Sequence, residues 1–138
     1  MFKEEDLTRG IIGVAMQLHS ELGPGFKENV YHKALHIKLI KAGHIVESEK
    51  QFSVFTEQEK VGNFRVDLLV NGRIIVELKS IDTFMPRIFR TQLVSYLKAA
   101  QLEVGLLLNF GKPSLEFQRI AHYQNLFSSS QNPSKSNI

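Results

Sequence analysis

The dipeptide Asn71-Gly72 separates two short apolar runs, residues 64–70 and 74–79. Asn-Gly between two such runs is a strong signal for a β-hairpin. Each run contains an acid, Asp67 in the first and Glu77 in the second, and Lys79 ends the second. Because charged groups are seldom buried in a sheet unless they are paired or bound to a metal, this hairpin is the candidate functional site.

Side-chain alternation predicts the register of this hairpin. Each strand then places three apolar residues on one face: Val66, Leu68 and Val70 on the first, and Ile74, Val76 and Leu78 on the second. Burying both sets together pairs Val70 with Ile74 and sets Asp67 opposite Glu77. The loop must therefore be Asn71-Gly72-Arg73, or the ladder must contain a bulge, because a plain two-residue turn would put the two acids on opposite faces.

Two interpretations of this charged face are open from the residues alone. Carboxylates opposite each other across two strands have Cβ atoms about 5 Å apart and repel each other unless something lies between them. A bound Mg²⁺ or Mn²⁺ removes that repulsion, because hard cations prefer carboxylate oxygens. The alternative is an ion-paired cluster of Lys79, Glu77 and Asp67 on a solvated surface.

Hydrophobic periodicity predicts the other elements, with helices at 5–22, 27–42 and 86–100 and strands at 44–55, 61–70, 73–79, 102–110 and 115–122. Gly23-Pro24-Gly25 ends the first helix. The order is ααβββαββ, an α/β class with a mixed sheet flanked by helices. The helix at 86–100 joins strands 73–79 and 102–110 as a βαβ crossover, so these two strands are expected to be parallel.

The helices contribute further candidate residues. Glu28 stands near the start of the second helix, where an acid also has a simple explanation in the helix dipole. His32, one turn later, is a metal ligand or a surface histidine. Gln92 and Tyr96 are four residues apart and therefore share a face of the third helix, although Tyr96 alone is typical of a core position.

The composition fits one domain, which we expect at residues 1–125, followed by a disordered tail at residues 126–138. The chain has 138 residues, a net charge of +3 and a pI of about 9.2, which suits a nucleic-acid partner. It has no cysteine, and it contains neither a signal peptide nor an apolar run of roughly 20 residues that would span a bilayer. We therefore expect a cytoplasmic protein.

These residues resemble a known pattern. Asp67, followed after nine residues by Glu77-Leu78-Lys79, is similar to the D…ExK core of the PD-(D/E)XK nuclease superfamily, and Gln92–Tyr96 resembles the QxxxY motif of its RecB-like branch. Within that superfamily, residues 25–31 (GFKENVY) resemble the signature of the small GxxExxY proteins. Three further stretches agree with it, namely residues 19–25 (HSELGPG), 65–70 (RVDLLV) and 106–111 (LLLNFG).

The resemblance implies a nuclease-like domain in which Glu28, Asp67 and Glu77 hold Mg²⁺ or Mn²⁺. Lys79 would be the catalytic lysine, and Gln92 and Tyr96 would lie beside the site. Apart from the resemblance, Arg65 shares the strand face of Asp67 and is either a phosphate contact or the partner of a carboxylate. Arg87 and Arg90 are either phosphate contacts or part of a solvated helix face.

We therefore expect a metal-dependent nuclease whose partner is nucleic acid, with DNA as the expected form. The alternative is a module that binds nucleic acid or protein without catalysis and keeps the nuclease fold. Either is compatible with a homodimer formed through the strand edge at residues 115–120.

Overall fold

The structure, a computed structural model, describes residues 4–123. These residues form three helices and five strands: α1 (Glu5–Leu22), α2 (Glu28–Lys41), β1 (Val46–Thr56), β2 (Glu59–Val70), β3 (Ile74–Lys79), α3 (Arg87–Ala100), β4 (Val104–Asn109) and β5 (Glu116–Ala121). The predicted order ααβββαββ and the α/β class are confirmed, with bounds that differ by two residues or fewer at each end. The tail predicted at 126–138 lies outside the described residues.

The sheet is mixed, and its strands follow the chain order β1-β2-β3-β4-β5. Strands β3 and β4 are parallel, as the predicted crossover through α3 requires, and the other neighbouring pairs are antiparallel. Helices α1 and α2 pack on one face of the sheet and α3 packs on the other. The central strands β3 and β4 are therefore buried on both faces, which explains their continuous apolar sequences.

Helix α1 shows why these segments form where they do. Ile11, Ala15 and Leu18 recur at helical spacing and are fully or almost fully buried against the sheet. The helix ends at Gly23, which adopts a φ of 71° and donates its N–H to the carbonyl of His19 at 2.8 Å. Glycine adopts this left-handed conformation without strain, so the chain turns directly into the loop before α2.

The β2–β3 hairpin has the predicted register. Val70 lies opposite Ile74, so the loop consists of Asn71, Gly72 and Arg73. Asn71 and Gly72 have φ values of 53° and 66°, and the N–H of Arg73 donates to the carbonyl of Val70 at 3.0 Å. The two residues thus form a tight turn, and Arg73 is the additional loop residue that keeps Asp67 and Glu77 in register.

The assignment of Val66 to the same face as Leu68 was wrong. Val66 packs in the core beneath α3 together with Leu69, whereas Leu68 packs beneath α1 and α2. The alternation of β2 slips by one position at Asp67. There the pairing with β1 is interrupted opposite Glu49, which has a φ of 54°. The distortion lies at a candidate site residue, where the side chain leaves the regular pleat.

Strands β1 and β2 form a longer ribbon than predicted. The connection between the strands predicted at 44–55 and 61–70 is reduced to Glu57 and Gln58, both with positive φ. Polar residues at this outer end concealed the strand pattern in the sequence, and most of them are exposed. None of the helices within residues 4–123 is long and apolar enough to cross a lipid bilayer.

A close backbone approach joins the turn after β4 to the segment after β3. A Cβ atom on Gly111 would lie less than 3.0 Å from the backbone of Ile81, so only glycine fits without movement. Gly13, by contrast, is exposed on α1, and a Cβ there would have open space around it. A larger residue is therefore excluded at Gly111 by close packing, whereas one at Gly13 would meet no neighbouring atom.

We expect Gly111→Ala to lower the free energy of unfolding by about 2 kcal/mol or more, because the backbone at Ile81 must move. Gly13→Ala is the matched control and should raise it by about 0.5–1 kcal/mol through helix propensity. Urea unfolding monitored by circular dichroism measures both. Equal effects of the two substitutions would contradict the close packing at Gly111.

Candidate active site

Asp67 and Glu77 lie opposite each other where β2 and β3 stop pairing. The backbone ladder ends at Leu68 and Val76. Beyond it the carboxylates replace the missing strand bonds, since the N–H of Asp67 donates to Glu77 Oε2 and the N–H of Leu78 donates to Asp67 Oδ2, each at 2.8 Å. The two side chains are therefore fixed by the backbone of the strand that each one faces.

The electrostatic environment of Glu77 is unfavourable for a free carboxylate. The residue is only 7% exposed. Burial raises the pKa of its carboxyl group from 4.5 to about 8, and the negative charge of Asp67 adds to the increase. The hydrogen bond from Asp67 N–H and the charge of Lys79 oppose this pKa shift without cancelling it. In the protein as folded, a cation or a proton is needed beside Glu77.

Lys79 is on the same strand, two residues after Glu77, and is half-buried. Its Nζ lies 4.2 Å from the ring centroid of Phe89 in α3. Within residues 4–123 it forms no ion pair shorter than 4.0 Å with Asp67 or Glu77, although its charge lowers the pKa of Glu77. The described residues therefore do not contain the alternative ion-paired cluster.

Glu28 is the first residue of α2, which packs on the face of the sheet opposite α3. Partial burial of its carboxyl group raises its pKa, and Asp67 raises it further, whereas Lys79 and His32 lower it. Glu28 therefore belongs to the same electrostatic group as Asp67 and Lys79. His32 shares a 2.7 Å hydrogen bond with Ser48 in β1.

The oxygens that remain on the two strand carboxylates fit a hard cation. Asp67 Oδ1 and Glu77 Oε1 accept no hydrogen bond from the described part of the chain. However, no three His, Asp or Glu side chains within residues 4–123 are gathered into a complete metal cage. The protein thus provides two converging carboxylates with Glu28 nearby, an arrangement that suits Mg²⁺, which keeps several of its waters.

Tyr96 and Gln92 both belong to α3, and Tyr96 interacts electrostatically with this group. The Tyr96 ring stacks on Phe64 of β2 with centroids 4.2 Å apart, so it contributes to the core. Burial raises its pKa, followed by the charges of Glu77 and Asp67, which places its hydroxyl in the field of the site. Gln92 is exposed one turn earlier on the helix.

The three arginines lie farther out and are exposed. Arg65 forms an ion pair with Glu49 at 3.4 Å, and both side chains are 59% exposed. Arg87 and Arg90, three residues apart in α3, make no ion pair with any residue of 4–123. The arginines are available at the surface and do not enter the carboxylate group.

Two residues near the site have structural roles: Tyr31, which belongs to the sequence motif at residues 25–31, and Asn109, which the sequence analysis did not single out. Tyr31 is fully buried, stacks on Phe110 at 4.7 Å and donates its hydroxyl to the carbonyl of Gly23 at 2.5 Å. Asn109 is also fully buried and holds the segment that follows Lys79. The isolated polar residue at the end of the apolar run 104–108 is the signal that could have identified Asn109.

Comparisons with known proteins bear on the family and the fold of the chain. The family model described as the PD-(D/E)XK nuclease superfamily matches residues 5–120. The chain is similar in fold to the crystal structure of SSO0001, with a TM-score of 0.53 and 21% identity. That match covers 69% of this chain and 50% of the SSO0001 chain, so it supports the fold alone. No curated protein matches the chain.

The raised pKa of Glu77 predicts how stability depends on pH when metal is absent. The folded protein holds this proton more tightly than the unfolded chain, whose carboxyl has a pKa near 4.5. The stabilisation is therefore complete below about pH 4.5 and is lost as pH rises towards 8, by up to about 1.4 kcal/mol per pH unit.

Glu77→Gln keeps a neutral hydrogen-bond acceptor and removes the titration. We expect its unfolding free energy in EDTA to exceed that of the wild type at pH 8 and to approach it at pH 5. Thermal or urea unfolding at several pH values measures the difference. Parallel curves for the two proteins would show that Glu77 is not the buried titrating group.

Proposed function

Because the chain belongs to the PD-(D/E)XK nuclease superfamily, we propose that it is a divalent-metal-dependent nuclease that hydrolyses the phosphodiester bonds of DNA. The observation that carries the proposal is that Asp67 and Glu77 face each other across two strands, each held by a backbone N–H of the opposite strand, with Lys79 two residues after Glu77. Buried like charges that keep free oxygens are stabilised by a cation, and a lysine next to them supplies a fixed positive charge for a phosphate.

Asp67 and Glu77 are the proposed ligands, with Glu28 as the third acid at the start of α2. Mg²⁺ or Mn²⁺ fits these ligands because all the donors are carboxylate oxygens. A bound divalent cation supplies Lewis-acid chemistry at the phosphoryl group. The exchanged hydrogen bonds of the two strand acids keep their carboxylates oriented before any ligand arrives, which lowers the cost of binding.

Lys79 is the proposed catalytic residue. Its ammonium packs against the Phe89 ring at one end of β3, so the position of its charge is restricted. A preorganised positive charge offsets the negative charge that develops on the phosphate in the transition state. Tyr96 and Gln92 are proposed to support the site from α3, with Gln92 exposed and able to reach substrate.

The exposed arginines are proposed to contact the phosphate backbone. Arg87 and Arg90 are free of ion pairs within residues 4–123 and share one face of α3. The pair between Arg65 and Glu49 is exposed, and such a pair contributes little to stability, so Arg65 can exchange it for a phosphate. Contacts of this kind position nucleic acid without reading its sequence.

We also propose a subfamily, a cellular location and an oligomeric state for the protein. Gly25, Glu28 and Tyr31 support assignment to the GxxExxY proteins, and the absence of cysteine supports a cytoplasmic location. A homodimer through β5 is supported by its place at the edge of the sheet and by Phe117, which is 42% exposed.

The direct test is cleavage of single-stranded DNA, duplex DNA and RNA by the purified chain with Mg²⁺, with Mn²⁺ and with EDTA. We expect metal-dependent cleavage that Lys79→Ala reduces by about 100-fold or more, because a charge aimed at the transition state is lost. Lys60→Ala, at the far end of the β1–β2 ribbon, removes the same charge and should have no effect. Activity that survives in Lys79→Ala would refute the assignment.

Metal binding separates the nuclease from the non-catalytic alternative. Isothermal titration of the wild type with Mn²⁺ should show a site that Glu77→Ala weakens at least tenfold, because one of two fixed carboxylates is lost. Glu59→Ala, an exposed acid at the outer end of β2, is the matched control. Tight Mn²⁺ binding without cleavage of any substrate would favour the binding module, and unchanged affinity in Glu77→Ala would contradict the metal site.

A further inference from the structure

A solvent-exposed aromatic side chain lies in the segment that follows Lys79. Phe84 belongs to the segment 80–86 that joins β3 to α3, five residues after Lys79, and it is 75% exposed. Ile88, in the first turn of α3, is 64% exposed. Two large apolar side chains are thus exposed four residues apart in the chain, and exposed apolar surface is common at binding sites.

The backbone on either side of Phe84 is held by Asn109. Its Oδ1 accepts the N–H groups of Ile81 and Gly111, each at 3.0 Å. Its Nδ2 donates to the carbonyl of Thr83 at 3.1 Å and to Glu116 Oε1 at 3.0 Å. Both donors and both acceptor positions of this buried amide are therefore used, so it can adopt only one arrangement.

Three other contacts hold the segment 80–86 in place. Both oxygens of Glu116 accept the N–H of Met85, at 3.2 and 3.1 Å. Ser80 donates its hydroxyl to the carbonyl of Phe26 at 2.6 Å, and Gly111 packs against Ile81. Residues 80, 81, 83 and 85 are thus fixed, and Phe84 projects between two of them. A ring on a rigid support loses little conformational entropy when a ligand binds.

The charges around the ring indicate what kind of ligand it accepts. Lys112 Nζ lies 3.0 Å from the centroid of the Phe84 ring, so one face of the ring carries a cation. Arg87 follows three residues later and is exposed. Asp82 is the only acid within the segment 80–86, and it is exposed. Positive charge beside a flat apolar ring complements an unpaired nucleotide, whose base stacks while its phosphate pairs with a cation.

We infer that Phe84 is a stacking platform for an unpaired nucleobase of the substrate strand, with Lys112 contacting a neighbouring phosphate. The inference rests on the proposed function for its substrate class and adds a preference to it. An intact duplex keeps its bases stacked on each other, so the platform favours single-stranded or frayed nucleic acid over closed duplex.

The chain contains no tryptophan, which allows a direct test. Phe84→Trp introduces a single tryptophan at the platform, which can be excited selectively at a wavelength where the tyrosines of the chain do not absorb. With EDTA present to prevent cleavage, a saturating single-stranded DNA oligonucleotide should quench its fluorescence by stacking, and the matching duplex should quench it much less. Phe55→Trp is the control, since Phe55 is 62% exposed but lies about 23 Å along the ribbon from the level of Asp67.

A second measurement uses Phe84→Ala and the control Phe55→Ala. Fluorescence anisotropy with a labelled oligonucleotide should show single-strand binding weakened roughly tenfold by Phe84→Ala only, with duplex binding unchanged. Circular dichroism verifies that both variants fold. Equal quenching of the two tryptophans, or equal affinity of the two alanine variants, would overturn the inference.

The outcomes separate this inference from the proposed function. Metal-dependent cleavage by the wild type, together with no specific quenching at position 84, would leave the nuclease intact and remove the platform. Specific quenching by single strands together with no cleavage under any metal would support the platform and contradict the nuclease.

Discussion

Two carboxylates that repel each other are held together by the strands they belong to. The N–H of Asp67 donates to Glu77, and the N–H of Leu78 donates to Asp67, at the point where the β2–β3 ladder has ended. These bonds replace the strand pairing that is lost there, so the acids cannot turn away without leaving backbone groups unsatisfied. Burial, followed by the charge of Asp67, raises the pKa of Glu77, so the fold holds this carboxyl group where its ionised form is disfavoured.

The surrounding segments are arranged around the ends of β3 and β4 that lie beside this pair. The loop before α2 is tied down by Tyr31, and the turn after β4 is tied to α1 by His19, which donates from Nε2 to the carbonyl of Lys112 at 2.8 Å. Asn109 ties the segment after β3 to the same turn. Tyr31, although it belongs to a sequence motif that implies a nuclease, therefore has a structural role: it is buried and its hydroxyl holds the loop before α2.

Local patterns predicted most of this architecture. The apolar period of α1 gave its exact bounds, and the parity of Val70 and Ile74 gave the hairpin register and its three-residue loop. The same alternation predicted the wrong face for Val66. The interruption opposite Glu49 depends on how β1 pairs with β2, and the sequence of neither strand alone predicts it. Alternation holds only while the ladder is regular.

The sequence predicted the acids of the candidate site but not the long-range contacts around them. Its acids stand out because charge is unexpected in an apolar strand, and the hairpin register places Asp67 opposite Glu77. The packing of Lys79 on Phe89, and the bonds from Asn109 to Thr83, join residues distant in the chain. Neither hydrophobic periodicity nor local composition predicts such contacts, because neither residue of each pair differs from what is usual in its own segment. Only the folded arrangement shows that Phe84 lies on a rigid support.

Selectivity follows from the kinds of contact that the described residues offer. The exposed arginines would meet phosphates, which are the same in every sequence. A stacked ring accepts any base, because every base has a flat face. Neither contact distinguishes one sequence from another, but stacking does distinguish a free base from a paired one. If both proposals hold, residues 4–123 would select substrates by strandedness, and the rigid segment after Lys79 would place the unpaired base close to the lysine that acts on its phosphate.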